Sequence, residues 1–289
     1  MMRINLSGRN AKFVFLLPAV VWTLFFTVFP LLYSLRLSFF RYVLGKPEQF
    51  IGFANFLRAL GDYKVANAVK ITLIFIAVAI PVEMLLGMAL AVLFNQRIPG
   101  RRFFRTLLTM PLFFTPVAIG LLGLTIFYEE GGPINSFLGL VGLKIPWLSH
   151  PTWAMAAIFL VEIWQWTPFV FLVLLAGLQG LPEEVYESAW LETSSGWQVF
   201  RWITLPMLQP VIIIVFLLRL IEAVKIFDIA YSLTAGGPGT STEVYSLFVY
   251  RSAMKFFDFG YASSLAYLLL VAMSVIIAFF FRRMREIYE

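Results

Sequence analysis

Four ionisable residues stand inside long apolar runs of this sequence: Glu83, Glu162, Arg219 and Glu222. A charge surrounded by apolar groups is costly to hold, so each is a candidate for function. Glu162, Gln165, Trp166 and Phe169 recur at i, i+3, i+4 and i+7, which sets a carboxylate, an amide and two rings on one helix face. Carboxylate and amide groups exchange hydrogen bonds with hydroxyls, and a ring offers a flat apolar face, a combination suited to a polyhydroxylated ring. On another run Arg219, Glu222 and Ile226 share a face by the same spacing, with Lys225 at its edge. Glu162 and Glu222 against Arg219 and Lys225 leave this stripe near neutral, which favours an uncharged ligand and leaves an anionic one open. An internal Arg219–Glu222 pair, with Trp166 and Phe169 merely packing helices, accounts for the same residues. Glu83, after Pro81 in a stretch of small residues, reads as a helix-packing or partner-contact residue.

The elements that hold these groups are apolar throughout. Of 289 residues, 61% are hydrophobic and 13% charged, with mean hydropathy +0.86; a soluble domain carries roughly 25% charged residues. The 31 Phe, 11 Tyr and 8 Trp exceed what one water-soluble core could cover, so the solvent is lipid. Cysteine is absent, which removes disulfides, thiolate metal sites and thiol nucleophiles. The one histidine, His150, sits in a Ser-His-Pro turn and is too little for a His-based metal site or a Ser-His-Asp triad. A net charge of +6 fits basic loops beside a membrane better than a nucleic-acid surface. Gly236-Gly237-Pro238-Gly239-Thr240 lacks the lysine of a phosphate-cradling loop, so ATP hydrolysis is not expected on this chain.

Six apolar runs, at residues 13–35, 66–94, 104–128, 153–178, 207–230 and 261–281, are each long enough to cross a bilayer, which takes about 20 residues. The first follows Arg3, Arg9 and Lys12, but it is too long for a signal sequence, precedes no small-residue cleavage site and is followed by further spans. The connection at 95–105 holds Arg97, Arg101, Arg102 and Arg105 without an acid, whereas the next holds Glu129 and Glu130 against Lys144. Excess arginine marks the cytoplasmic side, so both termini are expected in the cytoplasm, with Arg201, Arg282, Arg283 and Arg285 on that side too. Gly131-Gly132-Pro133 and Gly236-Gly237-Pro238 then read as outside turns. The outside segments 40–64 and 234–260 could dock a binding protein or seal the lumen.

Residues 180–205 form an acidic cytoplasmic loop, with Glu183, Glu184, Glu187 and Glu192 against Arg201. Pro182 favours a helix start, and the following acids suit its positive end, so a short helix is expected to about Leu191. Ser195-Gly196-Trp197-Gln198 has the spacing of a capping box, which predicts a second short helix towards Leu205, with Pro206 opening the next span. Tyr186, Ala189 and Trp190 share one side, and small Ser188 and Ala189 permit close approach of another backbone. Such a hairpin fits a partner's groove, or lies on the membrane with its tryptophans at the headgroups.

Glu187-Ser188-Ala189, Thr193, Ile203, Leu205 and Pro206 fall at the spacing of the Glu-Ala-Ala loop of importer permeases in the ATP-binding-cassette (ABC) superfamily. Leu178-Gln179-Gly180-Leu181-Pro182, Phe200-Arg201-Trp202-Ile203-Thr204-Leu205-Pro206, Leu233-Thr234-Ala235-Gly236-Gly237-Pro238, Gly52-Phe53-Ala54-Asn55-Phe56 and Ile134-Asn135 through Trp147-Leu148 resemble the carbohydrate branch, the maltose and glycerol-3-phosphate type. The resemblance covers nearly the whole chain. It implies an all-α polytopic transmembrane helical bundle of about six spans, one permease domain over 1–289, in the inner or plasma membrane of a prokaryote.

The resemblance further implies that the loop at 180–205 couples to an ATPase subunit through Glu187, Ser188, Ala189, Trp190 and Thr193. Glu162, Gln165, Trp166, Phe169, Glu222 and Ile226 would border the transport cavity, with Arg219 beside them. The implied partners are a second, related permease subunit, two ATPase subunits carrying ATP and Mg, an extracytoplasmic solute-binding protein and the lipid bilayer. No cofactor or metal is expected on this chain. Two departures stand out: Ser188 replaces an alanine, and Thr193 stands where the family usually has glycine. A β-branched residue resists positive φ, so the bend must keep negative φ or shift towards Gly196. The alternatives are a secondary transporter in which Glu162 or Glu222 carries a proton, or an ABC permease for a non-sugar solute.

Overall fold

The computed structural model describes residues 8–96, 98–193 and 195–288, with side chains from 15 to 282. Arg3 and Arg97, and the side chains of Arg9, Lys12, Arg283 and Arg285, lie outside them. The chain forms two compact units, Met1–Asp62 with Val249–Ala272, and Tyr63–Phe248 with Met273–Glu289.

In the first unit, α1 (Gly8–Thr23) passes through a π-helical turn, Leu24–Val28, into α2 (Phe29–Ser38). A two-stranded antiparallel ribbon, β1 (Phe40–Arg41) with β2 (Gln49–Phe50), leads to α3 (Ala54–Gly61). The Gly-Phe-Ala-Asn-Phe motif has a structural task here. Asn55 is buried and donates from Nδ2 to the carbonyls of Ser38 and Phe40, both at 2.9 Å. Arg58 pairs with Asp258 at 2.9 Å and lies over the Tyr261 ring at 3.9 Å.

The second unit contains α4 (Tyr63–Asn95), α5 (Arg101–Thr109), a 3-10 turn (Met110–Phe113), α6 (Pro116–Ile126), α7 (Pro133–Gly139), α8 (Pro151–Gln179), α9 (Glu183–Glu192), α10 (Gly196–Val199), α11 (Leu205–Val224) and α12 (Asp228–Thr234). The unit boundaries fall within α13 (Tyr245–Met254) and α14 (Phe259–Tyr288). The core lies where α4, α8 and α11 pack, on Ala91, Phe94, Val170, Phe171, Leu174, Leu175, Leu178, Leu208 and Val215. Gly87 allows that approach: a Cβ there would sit 2.5 Å from Val170 Cγ1 and 3.0 Å from the Phe171 nitrogen.

Among the described residues, five helices are long and apolar enough to span a membrane, at Phe15–Ser38, Tyr63–Asn95, Pro151–Gln179, Gly196–Val224 and Phe259–Arg282. The run at 104–128, expected as one span, is broken: Arg101–Phe113 and Pro116–Ile126 meet at 100°. Pro116 explains the break, because it pushes Thr115 into extended backbone (φ −68°, ψ 141°), and Phe114 is extended as well. The run at 207–230 also differs. Its helix stops at Val224, Lys225 leaves helical geometry and α12 restarts at Asp228. No proline or glycine marks this stop. It coincides with the burial of Ile226, Ile229, Ala230 and Leu233.

The loop at 180–205 has its first helix as expected, with Pro182 at the N-cap of α9. Thr193 is extended, at φ −145° and ψ 143°, so the bend keeps negative φ there and no strain arises. The capping box is only half formed: Ser195 Oγ accepts from the Gln198 N–H at 3.4 Å, but the Gln198 side chain bonds to the Thr193 hydroxyl, and Thr193 Oγ1 takes the Ser195 N–H at 3.2 Å. The second helix is not separate either. It runs through a π-helical turn, Phe200–Thr204, into α11. This turn just precedes Pro206 and Pro210, whose missing N–H groups already interrupt the regular ladder.

Candidate functional site

Three helices deliver charge to one point. Arg219 on α11 donates from Nε to Glu83 Oε2 at 2.6 Å and from Nη2 to Glu83 Oε1 at 3.0 Å; Nη2 also reaches Glu162 Oε1 on α8 at 3.1 Å. Arg219 and Glu83 are both 0% exposed. The guanidinium lies over Trp166 with 4.3 Å to the ring centroid. A two-pronged arginine–carboxylate contact is strong and directional, and in a low-dielectric interior removing one partner leaves an uncompensated charge.

The expected internal pair Arg219–Glu222 does not form. Arg219 is on the side of α11 that α4 and α8 cover, where two carboxylates outcompete a neighbour one turn away on its own helix. Glu222 turns instead to Lys225, 2.8 Å away, with both side chains about half exposed. Glu83 thus joins helices, as expected, but does so as a full member of the charge cluster, bonding α4 to α11. Ile226 lies beyond the end of α11, so it does not continue the Arg219–Glu222 face; it is buried.

The stripe on α8 is partly gathered. Glu162 and Trp166 join the cluster. Phe169 meets Trp166 edge-on at 6.1 Å between centroids. Buried Gln165 donates to the Phe114 carbonyl at 3.4 Å, tying α8 to the break before α6. Gln165 Oε1 and Arg219 Nη1 are buried without a hydrogen-bond partner among the described residues. Each of these atoms retains hydrogen-bonding capacity, and the one on Arg219 belongs to a guanidinium that lies over the Trp166 ring. No group of three or more His, Cys, Asp or Glu able to hold a metal occurs among the described residues.

On α9 the outward set differs from the expected one. Ala189 is 5% exposed and faces the chain itself. Tyr186 is half-buried and donates to Thr204 Oγ1 at 3.0 Å. Glu183, Glu184, Glu187, Ser188, Trp190 and Leu191 are exposed, and a shallow cleft of about 420 Å³ runs along Glu184, Ser188, Ala189, Glu192 and Ile203.

The motif from Ile134 to Leu148 ties a turn together. Asn135 Nδ2 donates to the carbonyls of Glu129 and Ile145, and its Oδ1 accepts from the Ile145 N–H and from Trp147 Nε1. Glu129 Oε1 accepts the N–H groups of Leu148 and Ser149 at 2.8 and 2.7 Å. Desolvation pushes the Glu129 carboxyl upward, but those two N–H groups, the Ser149 hydroxyl and nearby Lys144 outweigh it and hold the carboxyl below the usual range. Neither anchor was apparent from residue types alone, because short polar side chains in turns are too common to single out.

Residues 83–286 match the family described as binding-protein-dependent transport system inner membrane component. The chain is 34% identical over 272 residues to the trehalose/maltose transport system permease protein MalF of Thermococcus litoralis, covering 92% of each chain. It is 32% identical over 285 residues to the sulfoquinovosyl glycerol transport system permease protein SmoG of Agrobacterium fabrum, covering 98% of this chain and 92% of that one. Its fold matches a chain of a bacterial ABC transporter involved in the import of the acidic polysaccharide alginate, with TM-score 0.86 at 24% identity over 96% of both chains.

Proposed function

The chain belongs to the family of binding-protein-dependent transport system inner membrane components, a multi-pass inner-membrane protein, and we propose that it forms half of the pore of an ABC importer that carries a sugar or sugar derivative. The observation that carries the cargo reading is the near full-length similarity to permeases named for trehalose, maltose and sulfoquinovosyl glycerol. The Glu162–Gln165–Trp166–Phe169 stripe supports it chemically.

In this reading Trp166 and Phe169 present ring faces to a sugar, while Gln165 and Glu222 supply hydrogen-bonding groups. Glu83 and Glu162 hold Arg219 under Trp166 and so fix the ring, leaving the guanidinium little freedom to meet cargo directly. Glu222 and Lys225 neutralise each other, and buried Ile226 stays off this surface. The stripe as a whole suits an uncharged, hydroxyl-rich solute.

Coupling would run through α9. Glu187, Ser188 and Trp190 offer the outward surface to an ATPase subunit, and Ala189 and Thr193 shape the helix and its exit. ATP and Mg bind on the two ATPase subunits, whose closure moves α9 as a lever and reorients the pore between its inward and outward openings. A second permease chain completes the pore, and a solute-binding protein delivers cargo on the outside. Both chain termini would be cytoplasmic.

The test is uptake into vesicles containing the assembled subunits. Sugar uptake should require ATP, the binding protein and this chain together. Uptake driven by an ion gradient without ATP would overturn the proposal.

A further inference from the structure

Before the 100° break between α5 and α6 lies an apolar groove of about 680 Å³, walled by Leu90 on α4, Leu107 and Leu108 on α5, and Leu160, Ile163 and Trp164 on α8. No charged side chain lines it, and its volume lies within the range of about 300–1,000 Å³ usual for ligand pockets. At the other end of α5 stand Arg101, Arg102 and Arg105. No acid occurs anywhere from residue 84 to 128, and none of the three arginines forms an ion pair among the described residues. Arg101, Arg105 and Leu108 share one face of α5. At 1.5 Å per residue, Leu108 lies about 10 Å along the axis from Arg101, so one amphipathic molecule can meet both ends.

We infer that α5 and this groove bind a single phospholipid with a net negative headgroup, its phosphate held by Arg101, Arg102 and Arg105 and an acyl chain lying in the groove. Charge complementarity selects this occupant. A transmembrane helix of a second subunit would fill the apolar part but leave three arginines without counter-charge, whereas a zwitterionic lipid would neutralise them only in part.

The absence of cysteine makes the site testable. A Leu107→Cys variant of the full chain, purified with the subunits that accompany it, carries one environment-sensitive fluorophore in the groove. Reconstitution with lipids brominated on the acyl chain, either phosphatidylglycerol or phosphatidylcholine, reads contact as quenching. Half-quenching should need at least about fivefold less phosphatidylglycerol, the preference expected for one arginine near an anionic headgroup. Arg101→Gln with Arg105→Gln should bring the two lipids level, and Arg101→Lys with Arg105→Lys should keep most of the preference. Raising the salt concentration should weaken it in the unsubstituted arginine background, a readout independent of how the glutamine variant folds. Equal quenching by both lipids would overturn the assignment, as would a preference that survives the glutamine substitutions. Absence of quenching by either lipid would overturn it too, since protein would then cover the groove.

Discussion

Arg219 Nε lies 2.6 Å from Glu83 Oε2 although 136 positions of sequence separate the two residues. This contact, with Glu162 as the third member, fastens α4, α8 and α11 at a buried point, so the three helices share one electrostatic constraint.

Removing the cation from this cluster should be costly. Arg219→Ala leaves two buried carboxylates unpaired and is expected to destabilise the protein by about 3–5 kcal/mol, whereas Glu222→Gln, which breaks a half-exposed pair, should cost no more than about 1 kcal/mol. Thermal unfolding followed by size-exclusion chromatography in detergent reads both. Equal losses in the two variants would mean that the cluster does not stabilise the helix junction.

Steric fit at the junction can be tested without altering charge. Gly87→Ala places a methyl group 2.5 Å from Val170 Cγ1 and should destabilise by about 1–3 kcal/mol, as overpacked cores do. The matched control is Gly139→Ala on α7, where a Cβ meets nothing within 4 Å; its effect should stay within about 0.5 kcal/mol.

The turn around Glu129 should respond to acid with a defined sign. Its carboxyl is held below the ordinary value of 4.5 in the folded chain, so its contribution is complete above the unfolded pKa and is lost as pH falls through the lower folded one. Amide exchange at Leu148 and Ser149 should therefore be slow at pH 7 after correction for the intrinsic rate, and should lose protection in strong acid. Glu129→Gln should abolish that pH dependence while leaving the Asn135 contacts in place. Protection unchanged between neutral and acidic pH in the parent chain would contradict the assignment.

The two small residues of α9 should separate in their effects. Ser188→Arg changes an exposed position and is expected to prevent association with the ATPase subunit while leaving membrane insertion and thermal stability intact. Ala189→Leu enlarges a side chain that is 5% exposed, so it should lower stability first. Co-purification of the ATPase, measured alongside the melting temperature, separates these outcomes; an Ser188→Arg chain that still retains the ATPase would remove this face of α9 from the coupling surface.

Much of the site was legible in advance because the membrane makes charge rare. Glu162, Arg219 and Glu222 announce themselves against an apolar background, and the spacing of Glu162, Gln165, Trp166 and Phe169 fixes their common face once a helix is granted. Their partners were not legible. The nearest opposite charge in sequence to Arg219 is Glu222, yet the bonded ones are Glu83 and Glu162. In the same way, the helix stop after Val224 coincides with burial of Ile226 and Ile229 and has no local breaker to reveal it.

The sequence by itself determined that this chain lives in lipid, how many apolar runs it has, where the acidic helix α9 begins, and that Thr193 must accommodate a bend without glycine. These follow from composition, from 20-residue apolar lengths and from local backbone preferences, all of which act within a few residues. Only the tertiary structure decided which charges pair, that one apolar run breaks by 100°, and which side of α9 faces the chain. Those outcomes depend on which helices approach each other closely enough to exclude solvent, and that selection acts between residues far apart in sequence.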